Sequence, residues 1–161
     1  DRFNTKSEYE IIMEHPQPLY LMESRDHSYS ELFDKLEKNY PEDVCFEVCS
    51  RLAELGIIND RRYAEKLCRQ LFEVKKLGKY RVRQEMRMKG IPGDIIDETL
   101  EEFAEEDDSF ARLEELVEKK YERYLVDRKG VEKVKAALAR KGYSYGEIRE
   151  VLDLYDLDFE E

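Results

Sequence analysis

Apolar residues recur along the chain at steps of three and four residues, which is the spacing of one face of an α-helix. Leu32 and Leu36 follow this spacing, as do Val44, Val48 and Leu52. No segment shows the sustained alternation of apolar and polar residues, bounded by hairpin turns, that indicates β-strands. The pattern therefore predicts an all-α fold.

Residues that favour helix ends divide this pattern into separate helices. Ser28 and Ser30 stand before an acidic residue and an apolar run, which predicts a helix start. Pro41 suits the first turn of the next helix, and Gly56 suits its end. Two successive helices therefore open the patterned part of the chain.

Two longer helices are predicted further along the chain. The first is expected to be capped by Asp60 and to end near Gly78, with an apolar face formed by Tyr63, Leu67, Leu71 and Val74. A similar helix is expected to open at Asp108 or Ser109 and to carry Phe110, Leu113, Val117, Tyr121 and Tyr124. Four tyrosines on apolar stripes are interpreted as core residues rather than as stacking platforms: Tyr40, Tyr63, Tyr121 and Tyr143.

One arrangement of apolar positions occurs three times, with copies about 50 residues apart. Each copy is a helix, a short break and a second helix, and the breaks are Asn39-Tyr40-Pro41, Gly90-Ile91-Pro92 and Gly142-Tyr143-Ser144. The three registers are Leu32, Leu36, Tyr40, Cys45 and Cys49; Val82, Met86, Ile91, Ile96 and Leu100; and Val134, Leu138, Tyr143, Ile148 and Leu152. The first copy is one residue short at its break, so we expect its two helices to meet at a different angle.

A pair of helices cannot bury its apolar face alone, whereas stacked neighbours bury it between them. The predicted architecture is therefore an elongated array of tandem three-helix repeats. Its predicted organisation is an N-terminal extension at 1–18, helical repeats at 19–59, 60–106 and 107–155, and an acidic tail at 156–161.

Composition narrows the class of protein. The chain has 161 residues, of which 41% are hydrophobic and 42% charged, so a thin core should lie under a wide charged surface. No apolar run approaches the length of a membrane-spanning helix, and the N-terminal stretch lacks the apolar core of a signal peptide. The three cysteines are then expected to be reduced thiols, which predicts a cytoplasmic protein with no membrane partner.

Charge is distributed in blocks that the net charge of −11 conceals. Residues 61–90 hold 11 basic and 3 acidic side chains, whereas residues 91–118 hold 1 basic and 12 acidic. Residues 119–150 are again basic, with a net charge of +5. Because the field around a protein depends on where such blocks lie, the basic block predicts contact with a polyanion or an acidic protein surface.

The basic block contains the candidate binding residues. Arg62, Lys66 and Arg69 lie at i, i+4 and i+7 of the first long helix, and Arg83 and Arg87 are one helical turn apart on the next. Two such helices meeting at a glycine are predicted to form a cationic strip that follows phosphates or docks on an acidic groove. The complete set of candidates is Arg62, Lys66, Arg69, Lys75, Lys76, Lys79, Arg81, Arg83, Arg87 and Lys89.

Signals for catalysis or metal binding are weak. The chain has no Gly-rich phosphate loop and no recognisable nucleophile, and its two histidines, His15 and His27, lie in a poorly patterned stretch. Cys45, Cys49 and Cys68 are interpreted as core residues rather than as zinc ligands, because paired short-loop cysteines are absent. A solvated junction or helix start is favoured over a cation site for Glu101, Glu102, Glu105, Glu106, Asp107 and Asp108. We predict no enzyme, no bound metal and no cofactor.

Three stretches of the chain resemble the RecX family of regulatory proteins. Residues 52–64 read LAELGIINDRRYA, residues 78–91 read GKYRVRQEMRMKGI, and residues 138–149 read LARKGYSYGEIR. The resemblance covers residues 19–155. Departures from the family pattern are the short first break, Asn59 where an acidic residue is common, and the acidic tail.

The resemblance implies a non-enzymatic regulator of the RecA recombinase. Members of this family are tandem three-helix repeats that bind along the groove of the RecA–single-stranded DNA filament. They inhibit its strand exchange, ATP hydrolysis and coprotease activity in recombination and the SOS response. For this chain we therefore expect a monomer that binds the RecA filament, with at most a weak contact to single- or double-stranded DNA.

A stand-alone nucleic-acid-binding helical regulator is the alternative, because two-helix units with short turns resemble helix-turn-helix elements. Against it, no copy of the repeat combines a basic recognition helix with a dimerisation element. The second helices, especially at 92–103, are acidic.

Overall fold

The computed structural model of the chain describes residues 26–159, and every regular element in that range is a helix. The α-helices are α1 (Tyr29–Glu37), α2 (Glu42–Glu54), α3 (Asp60–Arg69), α4 (Lys79–Met88), α5 (Gly93–Glu106), α6 (Ser109–Leu116), α7 (Arg128–Arg140) and α8 (Tyr145–Leu152). The predicted all-α class is confirmed. The N-terminal extension, the start of the first predicted repeat, His15 and the last two residues of the acidic tail lie outside the described residues.

Capping boxes begin the first and the last of these helices. The Ser28 hydroxyl accepts a hydrogen bond from the Glu31 amide at 3.0 Å, and the Glu31 carboxylate accepts one from the Ser28 amide at 3.1 Å. Ser144 and Glu147 make the same reciprocal pair at the start of α8. Each box satisfies backbone donors that a helix start leaves unpaired, and Ser28 is confirmed as a start signal.

Two residues predicted to begin helices have other positions relative to those helices in the structure. Pro41 is the residue before α2 rather than part of its first turn. Asp60 is not the cap of α3, because the Asn59 side chain accepts from the Arg62 amide at 3.0 Å as an N-cap does. The Asp60 carboxylate instead accepts from the amide of Tyr29 at 2.9 Å and so ties α3 to the start of α1.

Both predicted long helices contain a π-helical turn in their C-terminal part. Helix α3 continues as a π-helix over Gln70–Val74, and α6 continues as a π-helix over Val117–Tyr121 and a 3₁₀ turn over Glu122–Tyr124. The wider turn changes which side chains face the core. Phe72 is therefore buried, whereas the predicted core residue Val74 is 73% exposed. Tyr124 is likewise about half exposed, which corrects its assignment to an apolar face.

The three predicted registers are confirmed by burial. Every position in them is buried except Tyr40, which is half-buried against the core of its own repeat. At the second and third breaks Gly90 and Gly142 have φ angles of +78° and +100°, a left-handed conformation that ends a helix. The shorter first break has no such residue. There the Tyr40 amide donates a hydrogen bond to the Leu36 carbonyl, four residues earlier, at 3.0 Å.

The described residues form two compact units. The first comprises the residues up to Glu65 together with Met86–Ile96, and the second comprises Lys66–Glu85 together with those from Asp97 onward. The first unit has a core from α1 and α2, whereas α6, α7 and α8 supply a core in the second. We call α3–α5 the second repeat and α6–α8 the third. No helix within the described range is both long enough and apolar enough to cross a membrane.

Candidate partner-binding interface

The candidate residues in the first compact unit have different roles. Arg62 donates to the carbonyls of Gly56 and Ile57, both at 3.1 Å, so its guanidinium closes the loop after α2. Arg87 is exposed and Lys89 is half-buried, and neither has an ion pair with any residue in the described range. Arg62 therefore serves the fold, whereas Arg87 and Lys89 remain available to a partner.

Three arginines of the second unit are engaged in surface ion pairs. Arg69 lies 3.5 Å from Glu73, and Arg81 lies 2.9 Å from Glu85. Arg83 pairs with Asp97 of α5. Exposed pairs of this kind contribute little to stability. These arginines can exchange their carboxylate for a partner at small cost, but they are not unpaired charges. Lys66, the fourth candidate nearby, is exposed.

The segment between α3 and α4 carries Lys75, Lys76 and Lys79. Among the residues that the structure describes, none of them has a carboxylate at ion-pair distance. Lys76 has a φ angle of +56°, and its carbonyl accepts a hydrogen bond from the Tyr143 hydroxyl at 2.7 Å. A left-handed lysine is uncommon, so this bond helps to hold the segment in its path.

The second repeat meets the third at two glycines, backbone against backbone. The Gly78 amide donates to the carbonyl of Lys141 at 2.8 Å, and the Tyr80 amide donates to the carbonyl of Gly142 at 3.2 Å. A Cβ atom on Gly78 would lie 2.4 Å from the Gly142 carbonyl carbon. Both glycines are buried, and only the absence of side chains allows this approach.

The helix end that makes this contact carries basic residues that are not among the predicted binding residues. Arg140 and Lys141 end α7, and the Arg81 guanidinium donates to the Arg140 carbonyl at 3.4 Å. Burial, followed by the positive charge of Lys120, lowers the pKa of the Lys141 ammonium. The net charge of +5 over residues 119–150 was the available signal, but only the fold shows that the end of α7 lies against the start of α4.

We name this assembly the glycine junction. It comprises Gly78, Gly142, Lys79, Tyr80, Arg81, Lys120, Arg140 and Lys141. It lies wholly within the second compact unit.

A buried arginine supports the second unit behind its surface. Arg112 is 8% exposed, lies 4.5 Å from the centre of the Phe72 ring and pairs with Asp107. The Phe72 and Phe103 rings stack at 4.5 Å. The Arg112 Nε atom has no hydrogen-bond partner among the described residues. Two residues of the predicted acidic run therefore have structural roles. Asp107 neutralises Arg112, and Asp108 caps α6.

The cysteines are core residues, as predicted. Cys45, Cys49 and Cys68 are all buried, and burial raises the pKa of Cys49 and of Cys68 to about 12. Thiols held in the neutral form are poor nucleophiles and poor metal ligands. No group of three metal-ligating side chains is found in the described range. His27 is buried too, with its Nε2 atom 2.9 Å from the Lys35 ammonium.

Comparison with known proteins gives one consistent result. The family model described as "RecX, second three-helix domain" matches residues 59–100, and "RecX, third three-helix domain" matches residues 106–152. Regulatory protein RecX of Trichlorobacter lovleyi is 30% identical over 139 residues, covering 84% of this chain and 90% of that protein. The corresponding protein of Chlorobium phaeobacteroides is 36% identical over 136 residues, covering 83% and 87%. The crystal structure of RecX from Lactobacillus salivarius matches with a TM-score of 0.75 at 27% identity, covering 86% of this chain and 91% of that one.

Proposed function

Because the chain belongs to the RecX family of regulatory proteins, we propose that it binds the filament that RecA forms on single-stranded DNA. Binding would inhibit the ATPase, strand-exchange and coprotease activities of the filament in recombination and the SOS response. The chain acts without catalysis of its own and as a monomer. The family gives a regulatory role, and what we add to it is the RecA filament as the partner and inhibition of the filament as the effect.

The observation that carries the proposal is the set of unpaired cations on the second repeat. Lys75, Lys79 and Arg87 are exposed, and no carboxylate in the described range neutralises them. Helix α4 carries Lys79, Arg83 and Arg87 at steps of four, which aligns them along one side of that helix. A filament offers the same acidic or phosphate-bearing surface many times along its length. A repeat protein that contacts several subunits at once gains avidity from individually weak contacts.

Co-sedimentation with RecA filaments tests the proposal directly. The chain should pellet with filaments at salt concentrations that release it from naked single-stranded DNA, because a net charge of −11 opposes binding to bare phosphates. Inhibition of RecA-dependent ATP hydrolysis should appear over the same range of protein concentration. Equal binding to filament and naked DNA, with the same steep salt dependence, would instead favour the stand-alone nucleic-acid-binding regulator.

A charge-reversal pair identifies the surface. Lys79→Glu with Arg87→Glu should abolish inhibition and leave thermal unfolding nearly unchanged, since neither side chain has an ion pair within the described residues. Arg83 is left unchanged, because a glutamate at this position would place its carboxylate beside that of Asp97. Lys129→Glu with Lys133→Glu is the matched control, because both lysines are exposed on α7 and the change in charge is the same. Full inhibition by the first pair would exclude this side of α4 as the anchor.

A further inference from the structure

We propose that one face of the α1–α2 pair is a docking surface for a basic, arginine-bearing segment of a partner protein. We call this surface the aromatic–acidic face. It lies within the first compact unit and comprises Tyr29, Phe33, Glu37, Glu42, Asp43 and Phe46. The inference goes beyond the proposed function, because that function uses cations of the second repeat, whereas this surface has the opposite charge.

The rings of this face are held in place by contacts between side chains. The Phe33 and Phe46 rings meet edge to face with their centres 4.9 Å apart, and the Tyr29 ring stacks on Phe33 at 6.3 Å. The Tyr29 hydroxyl is hydrogen-bonded to the Ser50 hydroxyl at 3.2 Å. Phe46 is nevertheless 51% exposed, and the other two rings are only partly buried. The three rings therefore form an ordered apolar patch that solvent still reaches.

Three exposed carboxylates border these rings: Glu37, Glu42 and Asp43. The first lies one helical turn after Phe33 on α1, and the other two lie about one turn before Phe46 on α2. Burial raises the pKa of the Cys45 thiol, and the charges of Glu37, Asp43 and Glu42 raise it further. Because all three charges act on one thiol, the carboxylates of the two helices lie near one another.

No cation within the described range forms an ion pair with these three carboxylates. Residues 26–59 hold eight acidic and three basic side chains. The Lys35 ammonium lies 2.9 Å from the His27 ring. Arg51 pairs with Glu54 at 3.2 Å, and Lys38 has no ion pair among the residues that the structure describes. The face therefore keeps a negative charge that a basic partner would neutralise.

An arginine side chain matches both parts of this face. Its planar guanidinium stacks on aromatic rings and binds a carboxylate through two parallel hydrogen bonds. The phosphates of a nucleic acid would be repelled by the carboxylates. A purely apolar segment would cover the rings but would leave the carboxylates without a counter-charge. The combination of rings and carboxylates therefore favours a basic protein segment over both.

Segments of this chain are poorer occupants of the face. Residues 1–25 hold five acidic and three basic side chains, so their charge has the wrong sign. The basic block at 61–90 of a second copy has the right sign, but most of its arginines are already bonded within their own chain, as Arg62, Arg69 and Arg81 are. The partner is therefore expected to be another protein.

Fluorescence anisotropy with labelled nona-arginine and nona-lysine tests the rings, because these peptides have equal length and charge but only arginine has a planar group that stacks. The wild-type chain should bind nona-arginine more tightly than nona-lysine. Phe46→Leu keeps an apolar side chain against Phe33 but removes the ring. It should weaken binding of nona-arginine about fivefold and remove the preference for arginine. Phe46→Tyr keeps the ring and should retain wild-type binding.

The carboxylates are tested with one triple variant: Glu37→Gln, Glu42→Gln and Asp43→Asn. It should weaken binding of both peptides about tenfold, the size expected for the loss of three exposed ion pairs. The matched control is a triple variant of exposed carboxylates on α5 with the same change in charge: Glu101→Gln, Glu102→Gln and Glu105→Gln. The control should bind both peptides within about twofold of the wild type, because distant surface charges are screened by salt. Thermal unfolding reports whether each variant is folded.

Three outcomes would overturn the inference. Equal losses in the two triple variants would show that the peptides respond to overall negative charge rather than to this face. Equal binding of nona-arginine and nona-lysine by the wild-type chain would exclude the rings. Dimerisation of the wild-type chain in sedimentation velocity, absent in Phe46→Leu, would make a second copy the occupant. Loss of the arginine preference in folded Phe46→Leu, with binding retained by the control, would support the docking surface whether or not the chain binds RecA filaments.

Discussion

Replacing Gly78 with alanine tests whether the glycine junction stabilises the second compact unit. The added Cβ atom would lie 2.4 Å from the Gly142 carbonyl carbon and 2.5 Å from the Tyr143 amide nitrogen. These neighbours are backbone atoms, which cannot move aside as the end of a flexible side chain can. The two segments must therefore separate by roughly 1 Å to restore ordinary van der Waals contact.

The cost of that separation follows from the bonds at the junction. It stretches or breaks the Gly78–Lys141 and Tyr80–Gly142 backbone bonds and the bond from the Tyr143 hydroxyl to Lys76. At about 1 kcal/mol net for each hydrogen bond, the loss is about 3 kcal/mol. Replacing glycine with alanine also stabilises the folded state by roughly 0.4–1 kcal/mol, because it reduces the conformational entropy of the unfolded chain. We expect the free energy of unfolding to fall by about 2–3 kcal/mol, which lowers the melting temperature by roughly 5–10 °C.

Circular dichroism at 222 nm measures the melting temperature when the protein is heated. The same signal measures the free energy of unfolding in a urea titration at constant temperature. Gly93→Ala is the matched control, because Gly93 also lies at a helix start but a Cβ atom there meets nothing within 4 Å. The control should unfold at or slightly above the wild-type temperature. Equal stability of the two alanine variants would show that the junction opens easily and does not hold the unit together.

Three further predictions concern the core and the surface. Asp107→Ala leaves the buried Arg112 guanidinium without its carboxylate, and urea titration should show a loss of roughly 2 kcal/mol; an unchanged midpoint would contradict this. Burial raises the pKa of Cys49 and of Cys68 from 9.0 to about 12, so these thiols ionise first in the unfolded chain. The free energy of unfolding should therefore decline as the pH rises from about 9 towards 12, and replacing both cysteines with alanine should flatten that decline. Arg87→Glu alone should reduce inhibition of RecA-dependent ATP hydrolysis but shift the free energy of unfolding by no more than about 0.5 kcal/mol; a large loss of stability would reveal a structural role.

Burial periodicity and capping residues made most of the fold predictable. The three registers were recognisable because each repeat must bury the same positions, and Ser28 with Glu31 is a local signal read from four residues. The cap of α3 was misplaced by one residue because Asn59 and Asp60 are both good N-cap residues. Only the tertiary contact with Tyr29, which occupies Asp60, separates them.

The candidate interface was predictable only in part, because sequence gives the position of a charge but not its neighbours. Arg62 looked like a binding residue, yet its guanidinium is bonded to two loop carbonyls. Lys141 was not selected, since no spacing along the chain indicates that the end of α7 lies against the segment before α4. That contact joins Gly78 to Lys141, residues more than 60 positions apart.

The π-helical turns at Gln70–Val74 and Val117–Tyr121 have a consequence for how these repeats change in length over evolution. A π turn closes its hydrogen bond over five residues rather than four, so it holds one residue more than an α turn. Inserting or deleting one residue at this point alters the width of a single turn and leaves the preceding helix in place. Alignments of related chains should therefore place single-residue gaps at these turns, whereas the segments that end at Gly78 and Gly142 should keep a constant length.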